Sequence, residues 1–232
     1  MNTDHCREAE LSLNNRQEDA HEFLLKLLEH FEDKLIVIAE VFNLPNVFDI
    51  YLRSTTTCQR CFRYNETKQY LWLLSLHFPL GSGEEAPHSV SHSLDIYSLM
   101  DSYFKLEILP EHRCAQCAFV GATEKKLSII NSPQIFVIHL SRFDSGLQKI
   151  DTFVNFSTEL TTEYIRNGNG QLLSYRLMGV IILKESSIAE GHYISYVLIK
   201  GTWYQADDTI MTEVSSQTLS TLQAYILFYE CL

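Results

Sequence analysis

Two Cys-x-x-Cys pairs, Cys58-Gln59-Arg60-Cys61 and Cys114-Ala115-Gln116-Cys117, stand 52 residues apart and limit how the chain between them can run. Each pair can form a tight turn that directs two thiolates at one ion, and four sulfurs satisfy tetrahedral zinc. If both pairs hold the same ion, a long excursion must come back to its starting point. Loop length itself costs little, because closure entropy grows only logarithmically. A redox-active pair is the rival reading, but it gives no reason for two pairs. Cys58, Cys61, Cys114 and Cys117 are therefore the candidate zinc ligands. The zinc would be structural, since four cysteines leave no open position for water.

The chain of 232 residues, 46% of them hydrophobic, can bury a sizeable core in one large domain or two small ones. No apolar run suits a membrane span, and Met1 to Glu8 lack the apolar centre of a secretory signal. An intracellular protein is the expectation. A formal charge of −11, from 18 Lys+Arg against 29 Asp+Glu, argues against a nucleic-acid partner and suits a basic protein partner better. With no signal, the cysteine pattern favours metal over disulfides.

Asn14 or Asn15 is the expected cap of a helix with Glu18 and Asp19 in its first turn and an apolar stripe of Ala20, Phe23, Leu24, Leu27, Leu28, Phe31 and Leu35, away from Lys26 and Asp33. Strands are expected over 47–57 and 69–78, then a polar, flexible loop over 81–93. A short helix capped by Ser93 follows over 94–104. A strand region over 107–132 is broken by the second cysteine pair. The run from Gln134 to Phe143 is almost continuously apolar, as a strand buried on both faces should be, and makes His139 a packed histidine. A very short linker, 144–148, leads to Lys149–Phe156. A long strand over 172–183, a flexible connection over 184–190 and a last strand over 224–230 that closes the sheet complete the pattern.

Gly191-His192-Tyr193-Ile194-Ser195-Tyr196-Val197 and Trp203-Tyr204-Gln205-Ala206-Asp207-Asp208 flank Lys200-Gly201, where glycine can take the positive φ of a tight hairpin turn. If Ile199 pairs with Thr202, Ile194 faces Asp207 and His192 faces Thr209. His192 and Asp207 then become diagonal neighbours on one face. A carboxylate that fixes one ring nitrogen leaves the other aimed at a nucleophile, the arrangement a general base needs. The plainer alternative is a strand histidine beside two turn aspartates; the aromatic pair Trp203-Tyr204 and the doubled aspartate favour the acid/base reading.

This hairpin resembles the histidine and aspartate boxes of the ubiquitin-specific proteases, papain-like cysteine deubiquitinases. Gln17-Glu18-Asp19-Ala20-His21-Glu22-Phe23-Leu24, the two cysteine pairs, and Gln134 to Phe143 match the same family pattern in order, across nearly the whole chain. The resemblance implies an α+β fold of Fingers, Palm and Thumb: residues about 15–40 in the Thumb, about 47–132 in zinc-tied Fingers, about 133–232 in the Palm. It implies ubiquitin or ubiquitinated proteins as partners, His192 as base, Asp207 as its orienter and Asp208 as a secondary polar contact. Asp19, with Gln17 and Tyr193, would meet ubiquitin's C-terminal tail, while His21, Glu22 and Phe23 would be structural. The position after Arg142-Phe143 often carries a longer loop in the family, and a substrate-blocking loop falls at 184–190.

In that family the nucleophile and oxyanion donors come from a Gly-Asn-Thr-Cys-Tyr box well before the segment matching Gln17 to Leu24. The neighbours of Cys6, namely Asp4, His5, Arg7 and Glu8, do not match it, and Cys231 sits at the last strand. The expectation is an N-terminally truncated Thumb, with base and orienter but no nucleophilic cysteine. The Phe23, Leu27 and Phe31 face would then lack its packing partners. Complete, such a domain would hydrolyse the isopeptide bond after ubiquitin's C-terminal glycine. The alternatives are an inactive ubiquitin-binding module or scaffold, and a zinc-stabilised interaction domain without ubiquitin function.

Overall fold

A computed structural model describes residues 19–42, with side chains to residue 31, and residues 47–79, 94–131, 133–144, 146, 148–167, 169–184 and 191–232. Cys6, Asn14, Asn15, Gln17, Glu18, the 81–93 loop and residues 185–190 lie outside the described residues, as do the side chains of Asp33 and Leu35.

The chain runs through α1 (Ala20–Phe42), β1 (Ile50–Cys58), β2 (Tyr64–Leu71), β3 (Leu74–His77), β4 (Leu94–Asp95), α2 (Ile96–Phe104), β5 (Glu107–Arg113), β6 (Val120–Ile129) and β7 (Ile135–Ser141). It continues with β8 (Val154–Asn155), β9 (Glu159–Arg166), β10 (Leu172–Leu183), β11 (Tyr193–Ile199), β12 (Thr202–Asp207), β13 (Ile210–Val214) and β14 (Ala224–Cys231). Two sheets carry the architecture, a four-stranded one ordered β2-β1-β6-β5 and a larger one ordered β13-β12-β11-β10-β14-β7-β3, with β9 also on β10.

The apolar run over 69–78 does not form one strand. Trp72 and Leu73 bend the chain, so β2 ends antiparallel to β1 in the small sheet while β3 begins parallel to β7 in the large one. The run thus contributes a strand to each sheet, and β3 belongs with the large sheet although it falls inside the 47–132 stretch. β14 does not close the large sheet at an edge. It lies between β10 and β7, paired antiparallel to both, which accounts for its nearly unbroken burial. The expected buried strand is β7, with Phe136, Val137, Ile138 and Leu140 fully buried.

The large sheet has apolar packing on both faces. On one, Phe136, Ile138, Leu227 and Tyr229 join α2, β9 and the base of the small sheet through Ile50 and Leu52. On the other, Leu73, Val137, Tyr225 and Ile226 meet Ala20, Leu24 and Leu25 of α1. Leu28 is also buried, whereas Phe23 and Phe31 are 40% and 47% exposed, so the helix docks through a narrower stripe than its sequence suggests. Its cap also differs: helix geometry starts at Ala20, and Asp19 Oδ1 accepts the His21 and Glu22 N–H groups at 2.8 and 3.2 Å. Likewise α2 is capped by Asp95, whose Oδ1 accepts Ser98 N–H at 2.7 Å; Leu94 and Asp95 pair with Val154 and Asn155 before the helix begins, and Ser93 lies outside the described residues.

Candidate active site and metal centre

The β11–β12 hairpin has the register its sequence predicts: Ile199 faces Thr202 and Ser195 faces Ala206. Lys200 and Gly201 both adopt left-handed φ, 50° and 87°, the type I′ turn whose twist suits a two-residue hairpin. This register brings His192, just before β11, onto Asp207, the last residue of β12. His192 Nε2 lies 2.5 Å from Asp207 Oδ1, and each side chain is about three-quarters buried. The pair is short enough for a charge-assisted hydrogen bond. Asp208 turns away in left-handed φ of 51° and is exposed, yet His192, Asp207 and Asp208 each present a donor atom within 4.8 Å of the others.

Beside this pair, Asp19 makes a second junction. Its Oδ1 caps α1, and its Oδ2 accepts hydrogen bonds from Tyr193 Oη at 2.8 Å and Tyr225 Oη at 2.7 Å. Burial acts to raise the carboxyl's pKa, but these four donors hold it below its ordinary value. Burial and the neighbouring Asp19 push both tyrosines upward. Asp19 thus ties the start of α1 to β11 and β14, one residue from His192. Tyr225 is the member that sequence reading missed. A tyrosine in a final strand carries no local sign that its hydroxyl meets a residue 206 positions away.

His139 is a packed histidine, as its strand implies. It stacks on His21 with ring centroids 3.9 Å apart, meets Tyr225 edge-on, and shares a hydrogen bond of 3.1 Å with Ser75 Oγ. Burial, then the adjacent His21, lower its pKa to about 3, so it is neutral at physiological pH.

The four cysteines of the paired motifs converge between the β1–β2 and β5–β6 hairpins, with Sγ atoms within 4.8 Å of one another. Cys58 and Cys117 sulfurs are 4.0 Å apart, those of Cys61 and Cys114 3.7 Å. A tetrahedron of Zn–S bonds of 2.3 Å has edges of about 3.8 Å, so the set fits zinc. The two turns have one design. Phe62 and Ala118 both take φ of 55°, and each donates its N–H to the carbonyl of the first cysteine of its pair, at 2.9 Å. Backbone N–H groups of Cys117 and Gln116 aimed at Cys114 bring its thiol down to about 6, which favours the ligating thiolate.

Of the described cysteines, these four sit at the hairpin turns of the small sheet, and Cys231 pairs with Tyr175 at the end of β10 opposite Leu183. At the strand rise that end is about 25 Å from His192. Among the described residues, no cysteine therefore reaches His192, and no helix is long and apolar enough to cross a membrane.

A family model described as ubiquitin carboxyl-terminal hydrolase matches residues 2–229. Over 237 residues the chain is 27% identical to ubiquitin carboxyl-terminal hydrolase 16 of Arabidopsis thaliana, covering 93% of this chain and 22% of that protein. Over 260 residues it is 28% identical to ubiquitin carboxyl-terminal hydrolase 27 of Homo sapiens, covering 92% of this chain and 59% of that one. Among solved structures it is similar to the SAGA Ubp8/Sgf11/Sus1/Sgf73 DUB module bound to ubiquitin aldehyde. There the TM-score is 0.71 at 26% identity, over 94% of this chain and 50% of the other. The chain spans less than two thirds of the length of each of these proteins.

Proposed function

Because the chain belongs to the ubiquitin carboxyl-terminal hydrolase family and has the papain-like fold of its catalytic domains, we propose that it recognises ubiquitin and supplies the acid/base half of a thiol-dependent deubiquitinating site. The observation that carries this reading is the His192 Nε2–Asp207 Oδ1 contact at 2.5 Å. Asp207 fixes the ring and favours one tautomer, so Nδ1 is the atom that exchanges a proton with a thiol and with the departing amine. Asp208 adds negative potential at the turn. In a complete site the thiolate adds to the carbonyl after ubiquitin's C-terminal glycine, the amine leaves with the proton held by His192, and water releases the acyl group.

In the same reading, residues about 15–40 form the Thumb, 47–132 the Fingers and 133–232 the Palm, with β3 and α2 completing the Palm. Cys58, Cys61, Cys114 and Cys117 hold a structural zinc that locks the Fingers' tip. Asp19, Gln17 and Tyr193 line the path of ubiquitin's tail. For Asp19 this role is indirect: with Oδ1 and Oδ2 already accepting four hydrogen bonds, it presents Tyr193 to the tail. The chain's acidic balance suits ubiquitin's basic tail surface.

The test is turnover of a fluorogenic ubiquitin C-terminal amide by the purified chain, with His192→Ala as control, followed by a ubiquitin titration. Turnover abolished by His192→Ala means that the thiol lies outside the described residues, with Cys6 the first to replace. Binding without turnover leaves a ubiquitin-recognition module. Neither binding nor turnover would overturn the proposal in favour of a zinc-stabilised interaction domain.

A further inference from the structure

Lys149 is a lysine that the acid/base pair does not use, and its side chain is only 7% exposed. Lysine is seldom buried this deeply, because its ammonium must find acceptors inside the protein. The nearby Asp151 carboxylate, at 3.7 Å, is 70% exposed and well screened. The closer acceptor is backbone: Lys149 Nζ donates to the carbonyl of Leu183 at 3.0 Å.

Leu183 is the last residue of β10 and faces Tyr193 in β11. One step on, Lys184 N–H donates to the carbonyl of His192 at 2.9 Å. Among the described residues the rung that carries His192 is thus the last of its ladder, and strand ends are where pairing ordinarily frays. Lys149 is held firmly enough to steady it. The fully buried Arg142 donates from Nε to Ala224 O at 2.7 Å, and from Nη1 to Ile150 O and Thr152 O at 2.9 and 2.8 Å. Its own carbonyl accepts Ile150 N–H at 2.7 Å, and Phe143 bridges Lys149 in a short antiparallel pair. A rigid path therefore runs from the end of β7 through residues 149–152 and the Lys149 ammonium to Leu183, and from there to His192.

We propose that Lys149 is a positioning residue that pins the end of β10, and through it the backbone of His192, so that the imidazole keeps its alignment with Asp207. The catalytic consequence rests on the reading of His192 and Asp207 as the proton-transfer pair. The pinning itself does not, and it is measured without turnover.

In the folded chain, 15N NMR should show the Lys149 ammonium as a slowly exchanging signal, unlike that of the more exposed Lys125. In Lys149→Met the Lys184 amide should exchange about tenfold or more faster, and the His192 ring signals should broaden or double. Amides of β1 and β6 should stay unchanged, which separates local pinning from a general loss of stability. Lys149→Arg, which can still donate to Leu183, should restore single His192 signals. A Lys149 ammonium that exchanges as fast as Lys125 would overturn the proposal even if Lys149→Met failed to fold. A folded Lys149→Met with unchanged Lys184 exchange and His192 signals would overturn it too. Should the pinning hold while His192→Ala leaves ubiquitin-amide turnover intact, it is the acid/base reading that fails.

Discussion

Replacing Asp19 with alanine removes an acceptor from four donors at once, and its cost can be worked out partner by partner. Losing the cap of α1 costs about 1 kcal/mol. Tyr225, 3% exposed, would keep a buried hydroxyl without its carboxylate at 2.7 Å, a loss of about 2 kcal/mol. Tyr193 is only half-buried, so water can replace much of its bond, leaving about 1 kcal/mol. The expected sum is about 4 kcal/mol, read as a lower urea midpoint at unchanged slope. Asp19→Asn keeps a cap and loses the charge, so it should fall about halfway between. The double-mutant cycle with Tyr225→Phe should show coupling of at least about 1 kcal/mol. The folded carboxyl lies below its ordinary value, so its contribution is present above that value and is lost as pH falls through the folded one. Asp19→Asn should therefore flatten stability below about pH 4. A cost under about 1 kcal/mol for Asp19→Ala, or additive effects in the cycle, would refute the clamp.

Three further outcomes follow from other parts of the molecule. Cys114→Ser should abolish binding of one equivalent of zinc and loosen β1, β2, β5 and β6 in hydrogen exchange while leaving β7 and β14 protected; retained stoichiometric zinc would count against the four-cysteine site. His139 has a folded pKa near 3 against 6.5 ordinarily, so the unfolded chain takes up its proton first. Its contribution is complete above about pH 6.5 and drains away towards pH 3, by a few kcal/mol in all, and His139→Phe should remove that part of the acid slope in urea titrations. Asp207→Asn should leave stability within about 1 kcal/mol, since the pair is partly solvated, while altering the His192 ring signals; unchanged signals would show that Asp207 does not orient the ring.

How much was legible in the sequence depended on how local each signal was. The hairpin register followed from one glycine-containing turn, so the sequence alone places His192 and Asp207 together. The cysteine pairs pointed to convergence by repeating one short motif, a repetition that a shared ligand explains better than a redox pair does. The boundary between the sheets was not legible, because the apolar run through Trp72 and Leu73 continues while its partner changes from β1 to β7. Nor could strand order be read from chain order: the last strand, β14, lies inside the large sheet between β10 and β7. Caps went astray for a related reason: Ser93 and Asp95 are both good acceptors, and it is Asp95, at the end of the β4–β8 pairing, that caps α2. The Asp19 clamp depends on three elements meeting, and only its Asp19 and Tyr193 members had a sequence signature.

The most direct test of the account is a ubiquitin titration of the isotope-labelled chain, repeated with ubiquitin lacking its C-terminal tail. The account predicts saturable binding by intact ubiquitin that shifts the His192 and Tyr193 signals, and loss of those shifts with the tailless form. Absence of binding, or identical shifts with and without the tail, would contradict it.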